Sequence, residues 1–291
     1  MSDRAGAAHS PTLSVSIVVY FPDPAWLKTT LETLVAALAH ARYAGAMRRA
    51  RIFLIDNQAD TDSSLFSAPL ADACKQSGWI EAACIAGHGN IGYGRANNLA
   101  FARSTKSDFH LVLNPDVKLA EEAITNALRY LHEHPACAMV SPIAISPDGS
   151  PLYLVKRYPD LLTLALRGFA PGWIKQRFRA RLDQYEYRET AFDAGLTGVT
   201  IVSGCFMLVR RAALDRVQGF DPAFFLYFED FDLSYRIAAF ADIARVADVR
   251  IVHAGGGSAT KGFRHVGMFV RSALRFLGKH GWTRKAEGVA L

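Results

Sequence analysis

Apolar residues along this chain fall into short runs separated by stretches of helical spacing. Residues 14–20 (SVSIVVY) are rich in β-branched side chains and end at Phe21-Pro22, the marks of a buried strand. Asp23 then supplies an N-cap oxygen and Pro24 a favoured first helical residue. Leu27, Leu31, Leu34 and Leu38 recur at helical spacing, so this helix turns one apolar stripe towards a sheet. Runs at 52–55, 79–85 and 109–113 predict further strands, followed by a helix over 119–134 and a strand over 137–141. Strands alternating with helices predict an α/β fold with a mostly parallel central sheet built from right-handed crossovers. Ligands of such sheets bind beyond the carboxyl ends of the strands. Three of these ends are polar or glycine-rich: Asp56-Asn57, the 87–94 loop, and Asn114-Pro115-Asp116.

The pattern changes after a turn at Pro147-Asp148-Gly149. Residues 156–188 are dense in Arg and Lys interleaved with Leu, Phe and Trp. An apolar run at 199–209 contains Ser203-Gly204, a short helix follows, and Gly219-Phe220-Asp221-Pro222 makes a turn. Residues 224–236 (FFLYFEDFDLSYR) lead into a helix, 249–253 predict a last strand, and 264–279 a basic amphipathic helix.

Composition narrows the class. Hydrophobic residues make up 51% of the 291 and charged residues 21%, enough apolar material for a sizeable core and contrary to a mainly disordered chain. The 33 Lys and Arg against 27 Asp and Glu give +6, a mild excess that fits an anionic partner. No nucleic-acid-binding motif is present. Four cysteines without a CxxC pair predict reduced thiols rather than zinc ligands. The first dozen residues lack the apolar core of a signal peptide, and no apolar stretch reaches the ~18 residues of a membrane span. The expectation is a cytoplasmic protein with peripheral contact to the inner face of the membrane.

Several segments carry chemistry. Asp116 stands just past a strand end, where a carboxylate reaches a divalent cation that neutralises a diphosphate; alone, the tripeptide reads more simply as a turn. Glu229, Asp230 and Asp232 sit at a helix start beside large apolar side chains. That is either an ordinary acidic first turn or a general-base site whose pKa desolvation raises. The loop GNIGYGRANN (89–98) opens a helix, where backbone amides favour phosphate or sugar oxygens, yet it matches neither GxGxxG nor a P-loop. His253 precedes a glycine run.

Taken in order, SVSIVVY, FLIDNQADTD, GNIGYGRANN, FHLVLNPDV, VSGCFMLVRRAAL, GFDPAFFLYFEDFDLSYR and HAGGGS resemble the family 2 glycosyltransferases of the GT-A fold, in their rhamnosyltransferase-like branch. The resemblance implies that Tyr20, Asp56 and Asn57 hold the nucleotide's base and ribose. Asn90, Gly92, Arg95 and Asn97, with Asn114, then lie against the donor's sugar and diphosphate. Asn114-Pro115-Asp116 falls where the family has its DXD motif, leaving Asp116 as the retained ligand for Mg²⁺ or Mn²⁺ and His253 as a second group. Asp230 corresponds to the catalytic base of an inverting displacement, supported by Glu229, with Tyr227, Phe228 and Asp232 on the acceptor side. The implied donor is a nucleotide-diphosphate sugar, dTDP-rhamnose first. The implied acceptor is a glycan or a polyprenyl-diphosphate-linked glycan. A sugar-phosphate nucleotidyltransferase and a non-catalytic sugar-nucleotide or membrane-docking protein are the competing readings.

The expected organisation is a disordered stretch at 1–12, a catalytic domain at 13–258, and a helix and tail at 259–291. Within the domain, 13–118 serve the nucleotide sugar and 119–258 the acceptor. The basic segment 156–188 and the last helix are expected to lie on an anionic leaflet.

Overall fold

The structure is a computed structural model that describes residues 10–58, 70–72, 74, 77–255 and 263–282. The first half runs β1 (Thr12–Val19), α1 (Pro24–Tyr43), β2 (Arg49–Asp56), β3 (Ile80–Ile85), α2 (Tyr93–Arg103), β4 (Phe109–Leu113), β5 (Val117–Leu119), α3 (Ala123–Glu133) and β6 (Cys137–Ile145). The second runs β7 (Pro151–Leu152), β8 (Val155–Lys156), α4 (Leu161–Phe169), α5 (Gly172–Arg177), α6 (Arg179–Tyr185), β9 (Ile201–Val202), β10 (Phe206–Arg210), α7 (Arg211–Val217), α8 (Glu229–Ala238), β11 (Asp242–His253) and α9 (Phe263–His280). Of the stretch 1–12 expected to be disordered, residues 1–9 lie outside the described residues and Thr12 begins β1; the glycines at 256–257 and the tail at 283–291 also lie outside them.

A nine-stranded sheet has the order β3-β2-β1-β4-β10-β6-β11-β5, with β7 paired to β6. Strands β3, β2, β1 and β4 are parallel, as are β6 and β11, while β10 runs antiparallel between the two blocks. This orientation brings the carboxyl ends of β1, β2, β3, β4, β6 and β11 and the amino end of β10 to one edge.

Both faces of the sheet are covered, because successive side chains on a strand point opposite ways. Leu111 and Leu113 of β4 join Leu31, Leu34 and Leu38 of α1 in one core cluster, and Val112 between them joins Leu233 and Ile237 of α8 in another. Helix α1 starts as its sequence predicts: Asp23 Oδ1 accepts from the N–H groups of Ala25 at 2.9 Å and Trp26 at 3.0 Å.

Three expectations about elements change. Leu119 ends a strand, 117–119, rather than starting a helix, because Ile251 to His253 offer that strand a partner, and the helix begins at Ala123. The apolar run 199–209 breaks into β9 and β10 around Ser203-Gly204-Cys205. The basic segment is three short helices in which Arg157, Arg167, Arg179, Arg181 and Arg188 pair with Glu189, Glu186, Asp183, Asp160 and Glu186 respectively. Much of its positive charge is therefore spent within the fold.

Candidate active site

The pairing of β5 with β11 brings the two expected metal ligands together. His253 stands opposite Val117 in the ladder, and the Ala254 N–H donates to the Asp116 carbonyl at 3.0 Å. As a result His253 Nε2 lies 3.3 Å from Asp116 Oδ1. That carboxylate oxygen is buried and accepts no hydrogen bond. Asn114 borders the pair, its amide nitrogen 3.5 Å from His253 Nε2 and its Oδ1 accepting from the Tyr93 hydroxyl at 2.9 Å. Burial disfavours a charged His253, but the Cys205 sulfur and Asp116 outweigh it and raise its pKa to about 10.

These residues fit a divalent cation. A Cβ added at Gly255 would lie 2.4 Å from Asp116 Oδ2 and 2.8 Å from His253 Nε2, so the glycine keeps a hollow open over both groups. Among the described residues no cluster of three or more His, Cys, Asp or Glu side chains able to hold a metal is present. Asp116 and His253 are two groups of ligand type, a number that leaves positions on such an ion for water and substrate phosphate oxygens.

The expected catalytic carboxylates face the same cleft from α8. A cavity of about 530 Å³ is lined both by Asn114, Asp116 and His253, near the ends of β4 and β11, and by Tyr227, Glu229 and Asp230, around the start of α8. The corner between β9 and β10 fixes Asp230: the Gly204 N–H donates to Oδ2 at 2.9 Å, and the Phe231 N–H donates to Oδ1 at 2.9 Å. Burial raises the Asp230 pKa, opposed by these bonds and by the Lys156 ammonium. Glu229 is more deeply buried, and its Oε2 has no hydrogen-bond partner. Burial and then the Asp230 charge push its pKa well above the carboxylate range. Ionisation of Glu229 is thus disfavoured by burial and by its neighbour, while the two backbone N–H bonds and Lys156 favour the carboxylate of Asp230.

Close backbone approach docks the loop at 87–94 on the segment before α8. Gly92 has φ of 88°, and a Cβ there would come within 2.3 Å of the Phe225 carbonyl oxygen. The neighbouring Tyr93 N–H donates to that oxygen at 3.1 Å. Tyr227 and Phe228 hold φ of 66° and 64°, a left-handed pair costly for bulky residues and found where a site imposes it.

The remaining expected residues divide. Tyr20 is exposed at the end of β1, and Asp56 and Asn57 follow at the adjacent end of β2. Asp56 Oδ1 accepts from the Gln58 N–H at 3.1 Å and from its side-chain amide at 3.2 Å. Asn57 bonds Asn90 at 3.1 Å and accepts from the Ile91 N–H at 3.1 Å, joining β2 to the loop.

Four expectations are corrected. Asn97 is fully buried and accepts from Ser16 Oγ at 2.6 Å, in a network with the neutral His110, so it holds α2 to the sheet and does not face a donor. Arg95 is not among the residues that border the cleft and donates to the Pro222 carbonyl at 2.7 Å. Phe228 does not border this cleft; it packs against Phe269 and Phe276 and lines the neighbouring cavity between α4 and α9. Asp232 is fully buried and accepts from Arg236 at 2.7 Å, Lys279 at 2.6 Å and His280 at 2.7 Å, so it latches α9 onto α8 rather than orienting an acceptor.

Two cleft residues escaped sequence reasoning. Tyr93 belongs to the glycine loop, but only the fold shows its hydroxyl donating to Asn114 and to the Gly204 carbonyl at 2.8 Å. Lys156 is one of eight cations in its segment, and burial alone sets it apart.

Comparison with known proteins gives the family and the fold. The family model described as Glycosyl transferase family 2 matches residues 14–218. The chain belongs to glycosyl transferase family 2. An N-acetylglucosaminyl-diphospho-decaprenol L-rhamnosyltransferase of Mycobacterium tuberculosis is 29% identical over 159 residues, 51% of this chain and 50% of that protein. Rhamnosyltransferase WbbL of Escherichia coli K12 is 29% identical over 158 residues, 52% of this chain and 55% of its own length. The chain thus spans about half the length of the curated relatives it matches.

Solved structures share the fold. GalNAc-T7 with UDP, GalNAc and Mn²⁺ superimposes with a TM-score of 0.57 at 14% identity, over 84% of this chain and 43% of that one. The mannosyltransferase PcManGT of Pyrobaculum calidifontis, in complex with GDP-Man and Mn²⁺, gives 0.56 at 15% identity over 92% and 65%. The fold of this family 2 chain is the expected GT-A class, a mostly parallel sheet flanked by helices.

Proposed function

We propose that this chain transfers a sugar from a nucleotide-diphosphate donor to an acceptor hydroxyl with inversion at the anomeric carbon. The observation that carries the reading is the position of Asp230 across one cleft from Asp116 and His253. Asp230 removes the acceptor hydroxyl proton as that oxygen bonds to the anomeric carbon, and the bond from that carbon to the diphosphate oxygen breaks. Such a displacement needs one base, and no second nucleophilic carboxylate. Burial and the Asp230 charge disfavour ionisation of Glu229, which limits the negative charge beside the base. Asp116 and His253 would hold Mg²⁺ or Mn²⁺, with Asn114 beside them. When bound, the cation supplies charge stabilisation to the departing nucleoside diphosphate.

Donor contacts are assigned to Tyr20, Asp56, Asn57, Asn90, Gly92 and Asn114, and acceptor contact to Tyr227. The names of the two curated relatives favour L-rhamnose as the sugar, with dTDP-rhamnose as donor. The name of the mycobacterial relative favours a glycan carried on a polyprenyl diphosphate as acceptor. No helix among the described residues is long and apolar enough to cross a membrane. Exposed Leu161, Phe169 and Trp173, with Val266, Val270 and Leu274 of α9, support contact with an anionic leaflet.

The test is binding and hydrolysis of dTDP-rhamnose, UDP-glucose, UDP-GlcNAc and GDP-mannose, with Mg²⁺ or with EDTA. Metal-dependent binding and turnover of one donor supports the reading, and no binding to any of them overturns it.

A further inference from the structure

A second cavity opens beside the catalytic cleft and shares three residues with it, Lys156, Arg167 and Tyr227. It measures about 420 Å³, and its walls are mainly apolar: Leu164 and Phe169 of α4, Phe231 of α8, and Val266 and Phe269 of α9. On the same two helices, Leu161 of α4 and Val270 of α9 are exposed.

Lys156 stands where the two cavities meet. It is 6% exposed, its ammonium donates to the Tyr153 carbonyl at 3.1 Å, and among the described residues no carboxylate lies within 4.0 Å of it. Burial and the neighbouring Arg167 lower its pKa to about 8. Arg167, by contrast, is already paired with Glu186 at 2.5 Å. A buried ammonium without an anion is costly, and a ligand that brings an anion to it recovers that cost.

Resting on the sugar-transfer reading above, we infer that this cavity holds the first isoprene units of a polyprenyl-diphosphate-linked acceptor, with the diphosphate on Lys156. The order of chemistry along the path fits one amphiphile. Asp230 meets the acceptor sugar, Lys156 meets the diphosphate, and the groove between α4 and α9 takes the apolar chain out to the surface. A wholly apolar ligand would leave Lys156 unpaired, and a free nucleotide would leave the groove empty. A volume of about 420 Å³ lies within the range of small-ligand pockets.

Calorimetric titration with farnesyl diphosphate, farnesol and inorganic diphosphate tests the assignment on the wild-type chain, Lys156→Met and Val266→Asp, with donor hydrolysis measured on the same preparations. Farnesyl diphosphate should bind at least about tenfold more tightly than either fragment. Lys156→Met should bring it down to the farnesol level. Val266 is exposed, so Val266→Asp should fold normally and keep donor hydrolysis while weakening farnesyl diphosphate by about tenfold. Equal binding of farnesyl diphosphate and inorganic diphosphate, or unchanged binding in Val266→Asp, overturns the inference. Donor hydrolysis without farnesyl diphosphate binding defeats this inference alone. Wild-type protein that hydrolyses no donor defeats the sugar-transfer reading, whatever the lipid analogue does.

Discussion

The backbone N–H of Gly204 points at Asp230 Oδ2 from 2.9 Å, so the corner between β9 and β10 sets the orientation of the proposed base on α8. The corner also limits space, since a Cβ at Gly204 would lie 3.3 Å from the Asp230 Cβ. The adjacent Glu229 receives no such bond on Oε2. The two neighbouring carboxyl groups are thereby set apart: burial and the Asp230 charge disfavour ionisation of Glu229, while two backbone N–H bonds favour the carboxylate of Asp230.

Asp230→Asn keeps the shape of the side chain and removes its basicity. Turnover should fall by about 10²–10⁴ while donor affinity stays within a factor of about two, as expected for a lost general base. Steady-state kinetics with donor titration checks both halves.

The pH profile should follow the raised pKa of Asp230. Its base form predominates only above that pKa, so turnover should decline on acidification at a higher pH than the ~4 of a free aspartate. Charging of Lys156 lowers the Asp230 pKa, so Lys156→Met should move the acidic limb upward. The measurement is kcat against pH for both proteins.

Gly255→Ala should impair the cation site without changing any ligand. The added methyl would crowd Asp116 Oδ2 and His253 Nε2. Mn²⁺ affinity in the presence of a nucleoside diphosphate, followed by electron paramagnetic resonance, should fall at least about tenfold, as it should in Asp116→Asn. Circular dichroism should be unchanged.

Asp232 should govern the attachment of α9. Burial opposes its charge, but bonds from His280, Lys279 and Arg236 prevail and hold its pKa down to about 2. A depressed carboxylate stabilises the fold above its unfolded pKa near 4, and that contribution disappears as pH falls towards 2. Asp232→Ala should cost about 3 kcal/mol at neutral pH, since it removes the buried acceptor shared by Arg236, Lys279 and His280, and should flatten the acid dependence of stability. Denaturant melts at several pH values measure both.

Gly92→Ala should cost at least about 2 kcal/mol, because its positive φ and the Phe225 carbonyl both exclude a methyl. Thermal melting would show it, and the loss should exceed that of Gly87→Ala, where a Cβ has open space.

The sequence by itself determined the alternation of elements, the cap of α1 by Asp23, and the strand ends that carry Asp56 and Asp116. Those features depend on local periodicity and on residues a few positions apart, which the order of the chain states directly. It also marked Glu229-Asp230 at a helix start, and through family resemblance it nominated His253. Only the tertiary structure decided which of these meet. Asp116 and His253 are neighbours because a three-residue strand pairs with the end of β11, a contact across more than a hundred residues that no local pattern encodes. The same applies to error. Asn97 and Asp232 look like site residues in their motifs, yet one reaches Ser16 in the sheet and the other reaches Lys279 and His280 on α9. Lys156 was one cation among eight until folding buried it without a carboxylate. Periodicity states which face of an element is apolar; the long-range packing that removes a polar group from water, and so sets its partners and its charge, exists only once distant elements have met.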